Sequence, residues 1–153
     1  MLEIDNSFIH KLPSDSELSN FVRQVDSACY SFCEPKATAN PQVVLKNKNL
    51  ARELGFQASF VNSNQFDKVF SGNELLEGMQ PFAMCYGGHQ FGHWAGQLGD
   101  GRAINLFDVE HKNKHWTVQL KGAGKTPYSR RGDGLAVLRS SIREYLCLSL
   151  IHI

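Results

Sequence analysis

Two short runs in the second half of the chain alternate apolar and polar residues, which is the pattern of a β-strand with one buried face. The first run covers residues 102–109 and the second covers 115–121. Between them, His111 to Lys114 is polar and has the length of a tight turn. Two strands joined by such a turn predict an antiparallel β-hairpin.

Apolar residues recur at helical spacing after this hairpin. A helix is predicted from about Ala136, with Leu138, Ile142 and Tyr145 on one face and Leu146 beside them. Strands followed by a helix give an α+β fold class.

The first 80 residues are patterned less clearly. Asn47 to Leu54 predicts a short helix that ends at Gly55. Residues 18–29 also have apolar positions at helical spacing, and Ser14 with Glu17 has the form of a capping box. β-forming residues and nearby prolines oppose that helix, so both helix and extended chain stay open for 18–29.

Charge and composition narrow the class of protein. The 153 residues carry 16 Lys and Arg against 15 Asp and Glu, so no overall field favours nucleic acid or an anionic membrane. No apolar run reaches the roughly 18–20 residues of a membrane span. Met1 to His10 lacks a signal-peptide pattern. We therefore expect a cytoplasmic protein with no nucleic-acid or membrane partner.

Glycine and positive charge concentrate in one region. Ten of the 13 glycines lie between Tyr86 and Gly134. The segment from Lys121 to Glu144 holds six basic and two acidic residues, a local charge of +4. Backbone amides of a glycine-rich turn, together with Lys and Arg, are the groups that bind polyphosphates. The alternative is a solvated loop with scattered charge.

Known phosphate and metal motifs do not fit this region. Gly124-Lys125-Thr126 resembles the end of a P-loop, but Gln119 stands where that motif requires glycine. His89 and His93 are four residues apart, yet the glycines around them disfavour a metal-binding helix, so we predict no metal site there.

A kinase-like arrangement fits better. Lys121 ends a predicted strand, and Glu144 lies on the following predicted helix. In protein kinases a strand Lys pairs with a helix Glu and is held against the nucleotide phosphates. The alternative is two unrelated exposed charges.

Four blocks of sequence strongly resemble the selenoprotein O family. They are YGGHQFG (86–92), WAGQLGDGRA (94–103), QLKGAGKTPYSRRGDG (119–134) and AVLRSSIREYL (136–146). Weaker similarity covers residues 6–62, and the family pattern there makes 20–35 mostly extended.

The resemblance implies a fold and an activity. Members have a protein-kinase-like (pseudokinase) fold and act as protein adenylyltransferases, which transfer AMP from ATP to Ser, Thr or Tyr hydroxyls of proteins. It implies ATP and Mg²⁺ as cofactors, with the magnesium ligands and the catalytic base downstream of this chain. The residues that it assigns to the nucleotide site are Gly99, Gly101, Arg102, Lys121, Asp133, Gly134 and Glu144.

The resemblance also divides the chain. Residues 1–80 are expected to be a family-specific N-terminal segment, and 81–147 the glycine-rich nucleotide-binding part of a kinase-like N-terminal lobe. Residues 148–153 depart from the family pattern, which suggests a chain truncated before the C-terminal lobe. Leu135 stands where the family usually has Arg.

Three interpretations remain. The chain is a fragment of an AMP transferase that is inactive alone, a stand-alone nucleotide-binding module, or a non-functional remnant. The apolar tail residues Leu148, Leu150, Ile151 and Ile153 disfavour the stand-alone module because they would need a covering partner.

Overall fold

A computed structural model describes residues 3–151, with side chains through residue 148. It is a mixed structure in which an antiparallel sheet is surrounded by short helices and long loops. The strands are β1 (Ile4–Asp5), β2 (Tyr30–Phe32), β3 (Phe82–Met84), β4 (Gly87–Gln90), β5 (His93–Gln97), β6 (Ala103–His111) and β7 (Lys114–Lys121). The helices are α1 (Ser7–Lys11), α2 (Lys48–Glu53), α3 (Ala58–Val61), α4 (Asn64–Phe70) and α5 (Leu138–Ile151).

The main sheet is built around β6. Along one edge β6 pairs with β7, and along the other it pairs with β3 and β1, while β2 extends the sheet beyond β3. All of these pairs are antiparallel. β4 and β5 form a separate two-stranded sheet.

The predicted hairpin is confirmed as β6 and β7. Lys112 and Asn113 both have positive φ, at +52° and +60°, which is the conformation of a type I′ hairpin turn. The strand pattern predicted one buried face for β6, but residues 103–107 are all buried. Asn105 is fully buried within this run because its amide is hydrogen-bonded on both sides.

Two of the three clusters of buried side chains join the sheet to the rest of the chain. The larger joins Phe56 and Val69 of the helical segment to Leu106, Phe107 and Leu120 of the hairpin. The second cluster includes Val25, Cys33, Ala83, Ile104 and Tyr128. Both clusters contain residues from before and after residue 80, so the two predicted segments share one core, and the division itself stays a prediction.

The short helix predicted at 47–54 is confirmed as α2. The Asn47 side chain accepts hydrogen bonds from the Asn49 and Leu50 amides, which caps the helix start. Gly55 follows the helix with φ +87°. The predicted helix after Ala136 is also present, as α5.

The helix considered for 18–29 is wrong, and the chain there is irregular. Leu18 is 72% and Phe21 51% exposed, so the apolar spacing does not mark a buried helix face. Arg23 instead donates to the carbonyl oxygens of Glu17, Ser19 and Phe21, which supplies local hydrogen bonds without a helix. Of the extended 20–35 segment implied by the resemblance, β2 is the regular part.

Two further findings concern the character of the helices and the state of the cysteines. Among residues 3–151 no helix combines the length and apolar character needed to cross a membrane. All four cysteines are free thiols, and burial raises the pKa of Cys33 to about 12, so this thiol is protonated at neutral pH.

Candidate functional site

An open cleft of about 620 Å³ lies where the turn before β6, the end of β7 and the loop at 122–134 meet. Its volume falls within the range of small-molecule sites, roughly 300–1,000 Å³. Six of the seven predicted site residues line this one cleft: Gly99, Gly101, Arg102, Lys121, Asp133 and Gly134. The seventh, Glu144, reaches the cleft through an ion pair with Lys121. Residues up to 45 positions apart in sequence, Gly99 and Glu144, are thus brought together.

The ion pair expected from the kinase-like arrangement is present. Lys121 Nζ lies 3.3 Å from Glu144 Oε1, and the side chains are 49% and 38% exposed. An ion pair this exposed contributes little net stability, about 0–1 kcal/mol. Its consequence is geometric, because it holds an ammonium group at the cleft that a ligand anion can still approach.

Buried hydroxyl groups fasten the loop to the turn before β6. The Thr126 hydroxyl donates to the Asp100 carbonyl oxygen at 2.6 Å, and the Ser129 hydroxyl donates to the Gly101 carbonyl oxygen. Ser129 Oγ also accepts from the Thr126 amide at 2.8 Å. Both side chains are buried, so these bonds are shielded from water and fix the two walls of the cleft relative to each other.

Two of the predicted glycines are required by this close packing. Gly99 has φ +64°, and a Cβ there would lie 2.3 Å from the Tyr128 ring. Gly134 has φ +73°, and a Cβ there would lie 1.9 Å from the Gly124 carbonyl oxygen. Both positions combine a left-handed backbone with a neighbour that leaves no room for a side chain. In this structure the two glycines allow neighbouring loop segments to pack closely against each other.

A chain of buried polar groups supports the cleft floor. Asp100 Oδ2 accepts from the Met84 amide at 3.0 Å and from the Asn105 side chain at 3.1 Å. Asn105 Oδ1 accepts in turn from the Gln119 side chain at 2.8 Å. Gln119 lines the cleft, so the network links β3, β6 and β7 directly beneath it.

The charge of the lining favours anions. Four cationic side chains, Arg102, Lys121, Arg130 and Arg131, line the cleft together with two carboxylates. One carboxylate, Asp100, is buried in the network beneath the cleft. Arg102 and Arg131 are exposed, and among the side chains of residues 3–148 they have no hydrogen-bond or ion-pair partner.

Further lining residues lie outside the predicted set. Tyr86, Gln119, Ser129, Arg130 and Arg131 all face the cleft. The two arginines had a signal in the sequence, because they contribute to the basic segment 121–144. Tyr86 and Gln119 each begin one of the family-like blocks, but nothing in the sequence marked either as a site residue, and the pairing of β3, β6 and β7 brings them to the cleft.

Two tyrosines border the cleft as neutral hydroxyls. Burial raises the pKa of Tyr86, and the negative charge of Asp100 raises it further. Burial also raises the pKa of Tyr128, against the opposing hydrogen bond with Ser31. Neither phenol ionises near neutral pH, so neither adds negative charge opposite an anionic ligand.

The described residues do not assemble a metal site. Across positions 3–151 no group of three or more His, Cys, Asp and Glu side chains is arranged to hold an ion. Asp133 accepts a hydrogen bond from the Leu135 amide at 2.9 Å, and Asp100 is committed to the network below the cleft. The expected Mg²⁺ therefore stays a prediction.

Comparison with known proteins finds one matching family and several relatives that share one name. The family described as "Protein adenylyltransferase SelO" matches residues 15–153, which includes the 148–153 segment that the sequence pattern placed outside the family. The chain is 54% identical over 151 residues to the protein nucleotidyltransferase YdiU of Flavobacterium johnsoniae. It is 55% identical over 152 residues to the protein of the same name from Rhodopirellula baltica.

The alignments cover nearly all of this chain but only a small part of each relative. The two alignments span 99% of this chain but 29% and 28% of the respective relatives. The protein nucleotidyltransferase YdiU of an Azoarcus species, 54% identical, shows the same proportions. The chain thus spans less than a third of the length of the curated relatives it matches.

Proposed function

The chain belongs to the protein adenylyltransferase SelO family, and on that premise we propose that its cleft binds the phosphates of ATP. The observation that carries the proposal is the convergence of six family-assigned residues on one cationic cleft, with Lys121 held by Glu144. Lys and Arg side chains with backbone amides are the groups that recognise polyphosphates.

The arrangement also supports a protein-kinase-like N-terminal lobe. β3, β6 and β7 form consecutive antiparallel neighbours, Lys121 ends the last of them, and α5 brings Glu144 to it. The same order of strand, strand, Lys strand and Glu helix positions the phosphate-binding Lys in protein kinases.

The reaction proposed for the whole protein is AMP transfer. A Ser, Thr or Tyr hydroxyl oxygen attacks the α-phosphorus, a new P–O bond forms, and the bond to the leaving pyrophosphate breaks. The hydroxyl proton passes to a base. Within this scheme, residues of this chain bind and orient the triphosphate, and Mg²⁺ supplies charge neutralisation when bound.

We expect this chain alone to bind nucleotide without transferring AMP. The proposed reaction needs metal ligands, and in the described part of the chain they are not assembled. The apolar residues exposed on α5, such as Leu138 and Leu146 at 62% and 58%, favour this interpretation over a stand-alone module, because a free-standing domain buries such a face.

The test is titration of the chain with ATP for the wild type and for Lys121→Ala. Removing a cation that contacts phosphate is expected to weaken binding about tenfold or more, since such a bond contributes about 1.5–3 kcal/mol. The matched control is Lys114→Ala, because Lys114 is an exposed lysine in the β6–β7 hairpin, outside the cleft, with its own partner Glu53.

We expect Lys114→Ala to bind ATP as the wild type does. Equal losses in the two variants would mean that ATP is attracted by overall charge and has no defined site. Failure of the wild type to bind ATP would reject the proposed function.

A further inference from the structure

The β4–β5 hairpin stands at the rim of the cleft. Tyr86 directly precedes β4 and Leu98 directly follows β5, and both line the cleft. Their backbones meet at the base of the hairpin, where the Leu98 amide donates to the Tyr86 carbonyl oxygen at 2.8 Å. Toward the tip, Arg130 of the cleft donates to Gln90 Oε1 at 3.2 Å. A molecule lying along this hairpin is therefore beside the cleft.

The hairpin presents aromatic side chains to solvent. Phe91 at the tip is 99% exposed and Trp94 on β5 is 64% exposed. Every residue from His89 to Ala95 is exposed. A two-stranded hairpin alone is marginally stable in water, and aromatic residues are the commonest anchors of protein interfaces. The hairpin thus has the composition of a binding element.

The backbone at the tip reinforces this interpretation. Phe91 has φ +50°, in the left-handed region that turns normally fill with Asn or Gly. Holding a phenylalanine there costs about 1–2 kcal/mol, and nothing buried is gained in return. Strain of this kind clusters at functional positions.

The strands of the hairpin have free edges. Its sheet contains only β4 and β5 among the residues from 3 to 151, so each strand has one side with unpaired backbone groups. An extended polypeptide can add to such an edge through main-chain hydrogen bonds, with side chains alternating onto the hairpin face.

Charge indicates which polypeptide fits. From Tyr86 to Gln97 the chain contains no Asp, Glu, Lys or Arg. Arg130 contacts the hairpin through Gln90, and Arg131 follows it in the cleft lining. The surface therefore complements an extended segment that carries apolar or aromatic residues and has acidic residues beside them.

We propose that the β4–β5 hairpin binds the protein acceptor as an added strand, which places its hydroxyl-bearing residue beside the nucleotide cleft. Phe91 and Trp94 anchor the acceptor, and the arginines of the rim pair with its acidic residues. This inference rests on the proposed AMP-transfer function, because that function requires a hydroxyl group to reach the cleft.

The experiment measures fluorescence anisotropy of a fluorescein-labelled peptide that alternates Val with Tyr and has Glu at both ends. We expect saturable binding to the wild-type chain. Phe91→Ala with Trp94→Ala is expected to weaken binding about tenfold or more, as loss of aromatic anchors does. Phe91→Tyr with Trp94→Tyr keeps the aromatic surface and is expected to restore most of the affinity.

Two controls separate this surface from other causes. Tyr145→Ala removes an exposed aromatic residue of α5, 43% exposed and outside the hairpin, and should leave peptide affinity unchanged. A peptide N-methylated at alternate backbone amides keeps its side chains but loses strand hydrogen bonds, and should not bind. Absence of saturable binding, insensitivity to the alanine pair, or equal binding of the methylated peptide would each overturn the proposal.

ATP titration of the alanine pair distinguishes this proposal from the function on which it rests. Neither Phe91 nor Trp94 lines the cleft, so ATP affinity should match that of the wild type. If the wild type fails to bind ATP while the peptide still binds through the hairpin, the nucleotide function fails and the strand-binding surface stands.

Discussion

Gly134 shows how a single residue keeps the cleft in shape. The Gly124 amide donates a hydrogen bond to the Gly134 carbonyl oxygen at 3.2 Å, and this bond closes the loop between the two residues. Gly134 has a left-handed backbone, and the Gly124 carbonyl oxygen lies where a side chain would be. Because that oxygen belongs to the backbone, it cannot shift without moving the loop. Gly134 is thus needed by the loop whether or not a nucleotide contacts it.

The Gly134→Ala variant is expected to be strongly destabilised. The left-handed backbone alone costs about 1–2 kcal/mol for alanine, and the 1.9 Å approach to Gly124 adds displacement of the loop. Gly92→Ala is the matched control, because Gly92 has φ +81° with nothing within 4 Å of an added Cβ. Thermal unfolding should show a clearly larger drop in Tm for Gly134→Ala. Equal drops would mean that backbone strain alone, without packing, requires glycine at 134.

At the scale of elements, the irregular N-terminal segment is bonded to the cleft by a chain of polar groups. Arg23 pairs with Asp15, whose carboxylate accepts from the Ser31 hydroxyl at 2.8 Å. Ser31 shares a hydrogen bond of 2.9 Å with the Tyr128 hydroxyl, and the Tyr128 ring packs against Gly99. The segment before β2 therefore supports the turn that forms one wall of the site.

Acid should weaken this support. Burial of Asp15 acts to raise its pKa, but hydrogen bonds from the Glu17 amide, Ser31 and Arg23 outweigh it and hold the pKa below its ordinary value of 3.8. The ionised carboxyl therefore stabilises the fold above pH 3.8, and this contribution is lost as pH falls through the lower folded-state pKa.

The Asp15→Asn variant is expected to lose stability at neutral pH relative to the wild type. Its deficit in the free energy of unfolding should shrink as the pH is lowered below 3.8, which urea unfolding across pH measures. Asp26→Asn, at an exposed position in the same segment, should follow the wild-type curve. A deficit of Asp15→Asn that stays constant down to the lowest pH would contradict the assigned role of the charge.

Local signals predicted the elements that local contacts build. The β6–β7 hairpin and α2 follow from alternation, turn residues and a cap, all within a few residues. The segment 15–29 could not be predicted in this way, because distant groups hold it: the Asn20 side chain donates to the Lys125 carbonyl oxygen and the Arg23 amide to that of Pro127. The β4–β5 hairpin escaped prediction because its glycines break the alternation expected of strands.

For the molecule as a whole, one helix leaves its apolar face largely exposed. α5 carries Glu144, yet Leu138, Ile142 and Tyr145 on its predicted apolar face are 62%, 39% and 43% exposed. Of the apolar tail predicted from sequence, Leu148 is 51% exposed, and the side chains of Leu150, Ile151 and Ile153 lie outside the described set. The periodicity predicted the helix correctly. Residues 3–148 provide no surface that covers its apolar face.

The family-like sequence blocks predicted six lining residues and the Lys121–Glu144 pair, but not the shape of the cleft. That shape depends on loop 122–134 folding back onto the turn before β6 through Thr126 and Ser129. Residue types alone do not reveal such a contact, since either hydroxyl could equally face water.

The most direct test of the nucleotide cleft is backbone amide NMR of the chain during titration with ATP. We predict that the largest saturable shift changes fall on the amides of 99–102 and 132–135, with Lys121 and its neighbours, and that Lys121→Ala reduces them at equal ATP concentration. Shift changes that are centred elsewhere, or that never saturate, would contradict the assignment of this cleft as the nucleotide site.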